Sequence, residues 1–138
     1  MLTSFLHQAV SPIDLNLTPC IQSLRISDLR LVGYISPVNW IQSLFSRVKI
    51  SLCLEEIEIH MNVRIPSPLH SEPGLDWSRW KDLDRLLARV EFSRLRKFAM
   101  FLDMEIGYYA DAEGELRELG DQLSALRARG ILCITKKQ

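Results

Sequence analysis

The sequence predicts an α/β domain in which strands alternate with helices that pack on one side of a sheet. Two observations support this fold class. Some segments place apolar residues at every second position, which indicates half-buried strands, and the segments between them repeat apolar residues every three and four positions, which is typical of amphipathic helices. Helical connections between successive strands favour parallel pairing. We therefore expect about four mostly parallel strands and three helices.

The clearest strand signal lies in residues 57–65, where apolar and polar side chains alternate without a break. Residues 97–106 repeat the same alternation. A shorter and less regular version runs from Leu24 to Leu31, and the β-branched run 131–135 closes the chain. These four segments are the predicted strands.

Three segments between the predicted strands have helical periodicity. The first helix begins at Ser36 and Pro37, a capping residue followed by proline at the first helical position. We expect Asp76 to cap the second helix, and Asp111 to cap a third that ends at Gly130. The apolar stripes that these helices should bury are Val38, Ile41, Leu44, Phe45 and Val48, then Trp77, Trp80, Leu83, Leu87 and Val90, then Leu116, Leu119, Leu123 and Leu126.

The first three predicted strands begin with the same spacing, apolar-x-x-apolar-x-apolar. It occurs at 21–26, 54–59 and 95–100, and a predicted helix follows each occurrence. This is the core spacing of a leucine-rich repeat. Together with the order of elements it predicts a short leucine-rich-repeat-like solenoid, and we expect residues 1–138 to form one such domain.

Charge and hydropathy restrict the partners and the location of the protein. The 17 Lys and Arg residues balance 17 Asp and Glu residues, so no overall field attracts nucleic acid. No segment approaches the roughly 18 apolar residues of a membrane span, and the N-terminal segment lacks the basic residues of a secretory signal. We expect no nucleic-acid or membrane partner, a cytoplasmic or nuclear location, and reduced thiols at Cys20, Cys53 and Cys133.

No motif in the sequence marks a known catalytic chemistry. The patterns GxSxG, GxGxxG and GxxxxGK[ST] are all absent. His60 has Glu58 and Asn62 as same-face neighbours, an arrangement that could serve a general base or part of a metal site, but a polar strand face explains it better. We expect a non-catalytic protein without cofactor or metal. A small α/β enzyme of unrecognised type and a degenerate structural fragment without a partner remain open as alternatives.

Five short segments carry a resemblance to a known family. They read CIQSLRI at 20–26, LEEIEI at 54–59, LDWSRW at 75–80, FSRLRK at 92–97 and LRARGIL at 126–132. In this order and spacing they resemble the C-terminal, leucine-rich-repeat-like region of F-box proteins from mushroom-forming fungi. In that family the repeats present a surface to the target, and an upstream F-box recruits a ubiquitin ligase scaffold.

The resemblance covers most of the chain but includes no F-box. It therefore implies a protein-interaction module that resembles the substrate-recognition region of such a ligase adaptor, and the C-terminal part of a longer architecture. Repeat sheets expose one long face, where such modules bind. Position parity and the resemblance together assign ten residues to this partner-binding face: Arg25, Ser27, Glu58, His60, Asn62, Arg64, Lys97, Phe101, Asp103 and Glu105.

The N-terminal half of the chain is poor in charged residues. Residues 1–69 carry 5 basic and 5 acidic side chains, whereas residues 70–138 carry 12 of each. The open edge of a parallel array needs a polar cap or another repeat to cover it. We therefore expect the N-terminal edge, at the strand around Leu24, to self-associate or to be covered by upstream repeats.

Overall fold

The computed structural model describes residues 3–7, 14–32, 36–69 and 75–137. Its five strands are β1 (Thr3–His7), β2 (Ser23–Val32), β3 (Glu56–Ile65), β4 (Lys97–Ile106) and β5 (Leu132–Lys137). They lie side by side in chain order, and every neighbouring pair is parallel. The α/β class and the parallel pairing of β3 with β4 are confirmed. The expected strand count was too low because β1, with the sequence TSFLH, lacks regular alternation.

Four α-helices connect the strands in the described residues: α1 (Val38–Ser46), α2 (Trp80–Leu87), α3 (Ala112–Gln122) and α4 (Ser124–Ala128). None of them is long and apolar enough to cross a membrane. The expectation of one continuous third helix is wrong, because the chain leaves helical geometry at Leu123. The predicted ends of that segment are confirmed. Asp111 accepts a hydrogen bond from the Gly114 N–H at 2.9 Å, and Gly130 has a φ of +74°.

The second helix begins later than its sequence predicts. The Asp76 carboxylate accepts hydrogen bonds from the N–H and Oγ of Ser78, at 2.9 and 2.6 Å, so it caps a turn rather than α2. Trp77, Trp80, Leu83 and Leu87 are buried as expected. Val90 is 71% exposed, contrary to expectation, because the helix has already ended and the chain turns into a 3₁₀ helix at Val90–Phe92.

The helices cover one face of the sheet. Leu24 and Ile26 of β2, Ile57 and Ile59 of β3, and Phe98 and Met100 of β4 are fully buried in one cluster with the apolar stripes of α1 and α2. Phe45 and Phe92 meet edge to face within it, with ring centroids 5.6 Å apart. The opposite face carries Glu58, His60 and Phe101, and we call it the uncovered face. Ile106, which the alternation assigns to the helix side, is 43% exposed at the end of β4.

Two backbone carbonyls determine where β3 and β4 begin. The Gln22 carbonyl accepts hydrogen bonds from Glu55 N–H at 2.8 Å and Glu56 N–H at 3.1 Å. The Glu55 carbonyl accepts in the same way from Arg96 and Lys97, at 2.7 and 3.1 Å. Each strand with its following helix is called a unit below, and this contact recurs between successive units. It aligns Ser23, Glu56 and Lys97 side by side.

A single irregularity interrupts the register of β2. The pairing with β3 shifts between Ile26 and Leu29, and Asp28 at this point has a φ of +59°. An extra residue of this kind is a β-bulge, and aspartate tolerates the left-handed conformation better than most residues. After the bulge Leu29 again faces the helices, so Arg30 lies on the uncovered face.

Polar contacts hold each helix to the unit before it. The Asp84 side chain on α2 is 3% exposed and accepts hydrogen bonds from the Ala125 and Leu126 N–H groups, both at 2.9 Å. These are the second and third residues of α4, whose preceding residue Leu123 has no side-chain acceptor to offer. Asp84 therefore caps α4 from a neighbouring helix.

Two arginines make equivalent contacts between units. Arg89 donates to the Val48 carbonyl at 3.0 Å, beyond the end of α1. Arg129 donates to the Leu87 carbonyl at 3.3 Å, at the end of α2. Arg89 also pairs with the Glu91 carboxylate at 2.9 Å. Positive charge at a helix C-terminus is favourable, and these contacts keep the helices in step with the strands.

The N-terminal edge of the sheet differs from the expectation. The edge of β2 is not open, because β1 pairs along it from Ser23 to Ser27. The N-terminal edge is therefore β1, and self-association there stays a prediction. At the other end Lys136 and Lys137 lie on β5, where edge lysines discourage further strand pairing.

Replacing Asp84 should destabilise the fold through α4. Asp84→Ala leaves two N–H groups without an acceptor, and we expect it to lower the free energy of unfolding by about 1–3 kcal/mol. Asp84→Asn keeps one acceptor oxygen and should fall between the alanine variant and the original protein. Asp82→Ala is the control, since Asp82 is exposed on the same helix and should cost under about 1 kcal/mol. Urea denaturation measures all three, and equal losses at both positions would contradict the capping role.

The Arg89–Glu91 pair should contribute to acid sensitivity. The hydrogen bond from Arg89 holds the pKa of Glu91 below its ordinary value of 4.5. A carboxylate with a lowered folded pKa contributes stability above its ordinary value and loses it as the pH falls through the lowered one. Glu91→Gln should therefore flatten the loss of stability below pH 4.5, measured by urea denaturation across the acid range. In the Arg89→Ala variant, Glu91→Gln should change the pH dependence of the free energy of unfolding little. A full effect in that variant would show that Arg89 does not lower the pKa of Glu91.

Candidate functional site

The ten residues predicted for the partner-binding face come together on the uncovered face of β2, β3 and β4. Arg25 lies beside Glu58, His60 beside Phe101, Asn62 beside Asp103, and Arg64 beside Glu105. The exposed members are Asn62, Arg64, Lys97, Asp103 and Glu105, and the half-buried members are Arg25, Ser27, Glu58, His60 and Phe101. The register thus converts residues from distant parts of the sequence into rows that run across the sheet.

The sequence prediction missed several residues of the same face. Arg30 continues the row of Asn62 and Asp103, and Lys137 of β5 completes it. Glu56 lies beside Lys97 at the start of the strands. Arg30 could have been predicted, because the apolar spacing of Leu29 and Leu31 places the residue between them on the opposite face. Lys137 was not, because β5 extends beyond the β-branched run that predicted it.

His60 is the centre of this face. Its ring stacks on Phe101 with centroids 4.7 Å apart and planes inclined by 16°. Its Nε2 lies 3.2 Å from the Glu58 carboxylate, and its Nδ1 lies 3.2 Å from Nζ of Lys137. With only 14% of its side chain exposed, His60 joins β3, β4 and β5 across the uncovered face.

These contacts determine which ring nitrogen of His60 carries the hydrogen. A lysine ammonium only donates, so Nδ1 accepts from Lys137 and Nε2 donates its hydrogen to Glu58. In this arrangement both ring nitrogens of His60 are engaged by side chains of the same face. The plainer of the two interpretations of Glu58, His60 and Asn62, a polar strand face, fits this geometry. Across the described ranges no three His, Cys, Asp or Glu side chains are grouped to hold a metal ion.

Two shallow depressions flank this centre and open widely to solvent. The first, of about 220 Å³, is lined by His60 and Phe101 together with the charged residues Arg25, Asp103 and Lys137. The second, of about 360 Å³, is lined by Arg30, Arg64 and Glu105 among others. Charges of both signs alternate over short distances, and neither depression has the enclosed, mostly apolar lining that is typical of a small-molecule pocket.

Comparisons with known proteins give no match: no protein-family model, no curated protein and no solved structure corresponds to this chain.

His60 should contribute more to stability than its neighbour on the same strand. His60→Ala removes the stacked contact with Phe101 and both hydrogen bonds, and we expect a loss of about 1–2 kcal/mol in the free energy of unfolding. Asn62→Ala, at an exposed position two residues along, should change it by under about 0.5 kcal/mol. Chemical denaturation measures the free energy of unfolding of both variants. Equal losses would show that the contacts of His60 do not stabilise the face.

Proposed function

We propose that the protein is a non-catalytic interaction module whose uncovered sheet face binds a protein partner. The observation that carries this proposal is the face itself: rows of oppositely charged and polar side chains, with the His60–Phe101 stack at their centre, that no helix in the described parts of the chain covers. Such a face extends across several strands, and its charges can select a partner of complementary pattern.

We propose further that the module is a leucine-rich-repeat-like solenoid. Three features support it. The strands follow one another across the sheet in chain order, the paired hydrogen bonds to Gln22 and Glu55 recur at equivalent positions, and Leu24, Ile57 and Phe98 of the repeated spacing lie side by side. Contact between each unit and its neighbours alone is the defining property of repeat proteins.

The resemblance to fungal F-box proteins gives this binding face a role. In that family the repeats select a target for ubiquitin ligation, so we propose target recognition in the cytoplasm or nucleus, within a longer architecture that supplies ligase recruitment. The mixed charge argues for a protein partner over nucleic acid, whose phosphates favour a continuous basic surface. The small-enzyme and structural-fragment alternatives have no specific observation in their favour.

Site-specific photo-crosslinking in cells tests the proposal. A photoreactive amino acid is introduced separately at Asn62 and Asp103 on the uncovered face, and at Arg85, which is exposed on α2, as a matched control. We expect the same discrete protein adduct from both face positions and none from Arg85. The adduct protein is then identified, and its affinity for the purified chain is measured.

The charge pattern of the uncovered face leads to a second expectation. The double substitution Asn62→Arg with Asp103→Lys should weaken binding of the purified partner at least tenfold, because it replaces a polar row with like charges. Arg85→Glu should leave the affinity unchanged. Adducts that form only from Arg85, or a partner that binds the double variant normally, would reject the uncovered face as the binding surface.

A further inference from the structure

Two of the three cysteines occupy equivalent positions in successive units. Cys20 lies two residues before Gln22, and Cys53 lies two residues before Glu55, the two residues whose carbonyls each accept a pair of N–H groups from the next unit. The third equivalent position, two residues before Arg96, is Arg94. Two cysteines and an arginine therefore occupy equivalent positions at the end of the sheet where the strands begin.

A backbone hydrogen bond brings the two cysteines together. The Cys53 N–H donates to the carbonyl of Pro19 at 2.9 Å, and Pro19 directly precedes Cys20. The offset of 33 residues between the two cysteines equals that of the paired residues Ser23 and Glu56 three positions later, where neighbouring strands run about 4.8 Å apart. A disulfide requires Cα atoms about 4.4–6.8 Å apart, so the backbones at Cys20 and Cys53 lie at a separation that a disulfide can span.

A side-chain contact joins Cys53 to the third equivalent position. Nη1 of Arg94 lies 3.5 Å from Sγ of Cys53, a contact between adjacent units. Cys20 is exposed and Cys53 is half-buried, so a small reagent can reach the pair.

We propose that Cys20 and Cys53 form a thiol pair that is oxidised to an intramolecular disulfide by a low-molecular-weight disulfide such as oxidised glutathione. The Cys53 sulfur, as thiolate, attacks one sulfur of the reagent and releases one glutathione thiolate, which leaves a mixed disulfide on Cys53. The Cys20 thiolate then attacks the Cys53 sulfur and releases the second. Two protein thiols and one oxidised glutathione thus give one protein disulfide and two reduced glutathione molecules.

Arg94 has a defined part in the first step. Its guanidinium lies beside the Cys53 sulfur and attracts the carboxylates of the glutathione reagent. The resulting bond joins the segment before β2 to the segment before β3, at the point where the Gln22 carbonyl sets the strand register. Oxidation would therefore fasten the unit of β2 to the unit of β3 without touching the uncovered face.

The experiment treats the reduced full chain with oxidised glutathione, blocks free thiols with an alkylating reagent, and maps the products by mass spectrometry. We expect a species that has lost two hydrogen atoms, with the disulfide between Cys20 and Cys53 and alkylated Cys133. Cys133→Ser should give the same disulfide. Cys20→Ser and Cys53→Ser should instead accumulate a glutathione adduct on the remaining cysteine of the pair, and unfolding the chain in urea should remove the preference for this pairing.

Two matched variants separate the role of Arg94. Arg94→Ala should slow formation of the disulfide several-fold, whereas Arg96→Ala, at an exposed position two residues along, should not. Equal rates for both variants would overturn the assignment of Arg94. Glutathione adducts on all three cysteines without an intramolecular disulfide, or pairing through Cys133, would overturn the proposal of a thiol pair.

Discussion

The register of the parallel strands depends on two carbonyl groups, those of Gln22 and Glu55. Each accepts two N–H groups from the next unit and so fixes the residue at which the next strand begins. Side chains alternate between the faces of a strand, so a slip of one residue would send the apolar set to solvent and the polar set against the helices. The burial of Ile57 and the position of His60 on the uncovered face both follow from this alignment.

The helix layer follows the strands because polar contacts link each helix to the previous unit. Asp84 supplies the cap that α4 lacks, and Arg89 and Arg129 each donate to a carbonyl at the end of the preceding helix region. A buried carboxylate is stable only when its oxygens are hydrogen-bonded, as those of Asp84 are. The rows of side chains on the uncovered face and the hydrogen bond from the Cys53 N–H to the Pro19 carbonyl follow from the same register.

Local patterns predicted much of this fold. The alternation of β3 and β4 identified their faces, and all ten predicted residues share one surface, because parity is a property of each strand alone. β1 was missed because TSFLH has no such pattern and is held by pairing with β2. The division between α3 and α4 depends on Asp84, 41 residues before Ala125, and the contact of Lys137 with His60 spans 77 residues. Periodicity cannot report contacts of this range.

The most direct test of the strand register is nuclear Overhauser spectroscopy on the isotope-labelled chain in solution. The account predicts interstrand contacts that pair Leu24 with Ile57, Ile57 with Phe98, and Phe98 with Leu132, together with slow amide exchange at Arg96 and Lys97, whose N–H groups share the Glu55 carbonyl. Contacts displaced by one residue between β3 and β4, or antiparallel cross-peaks between them, would contradict it.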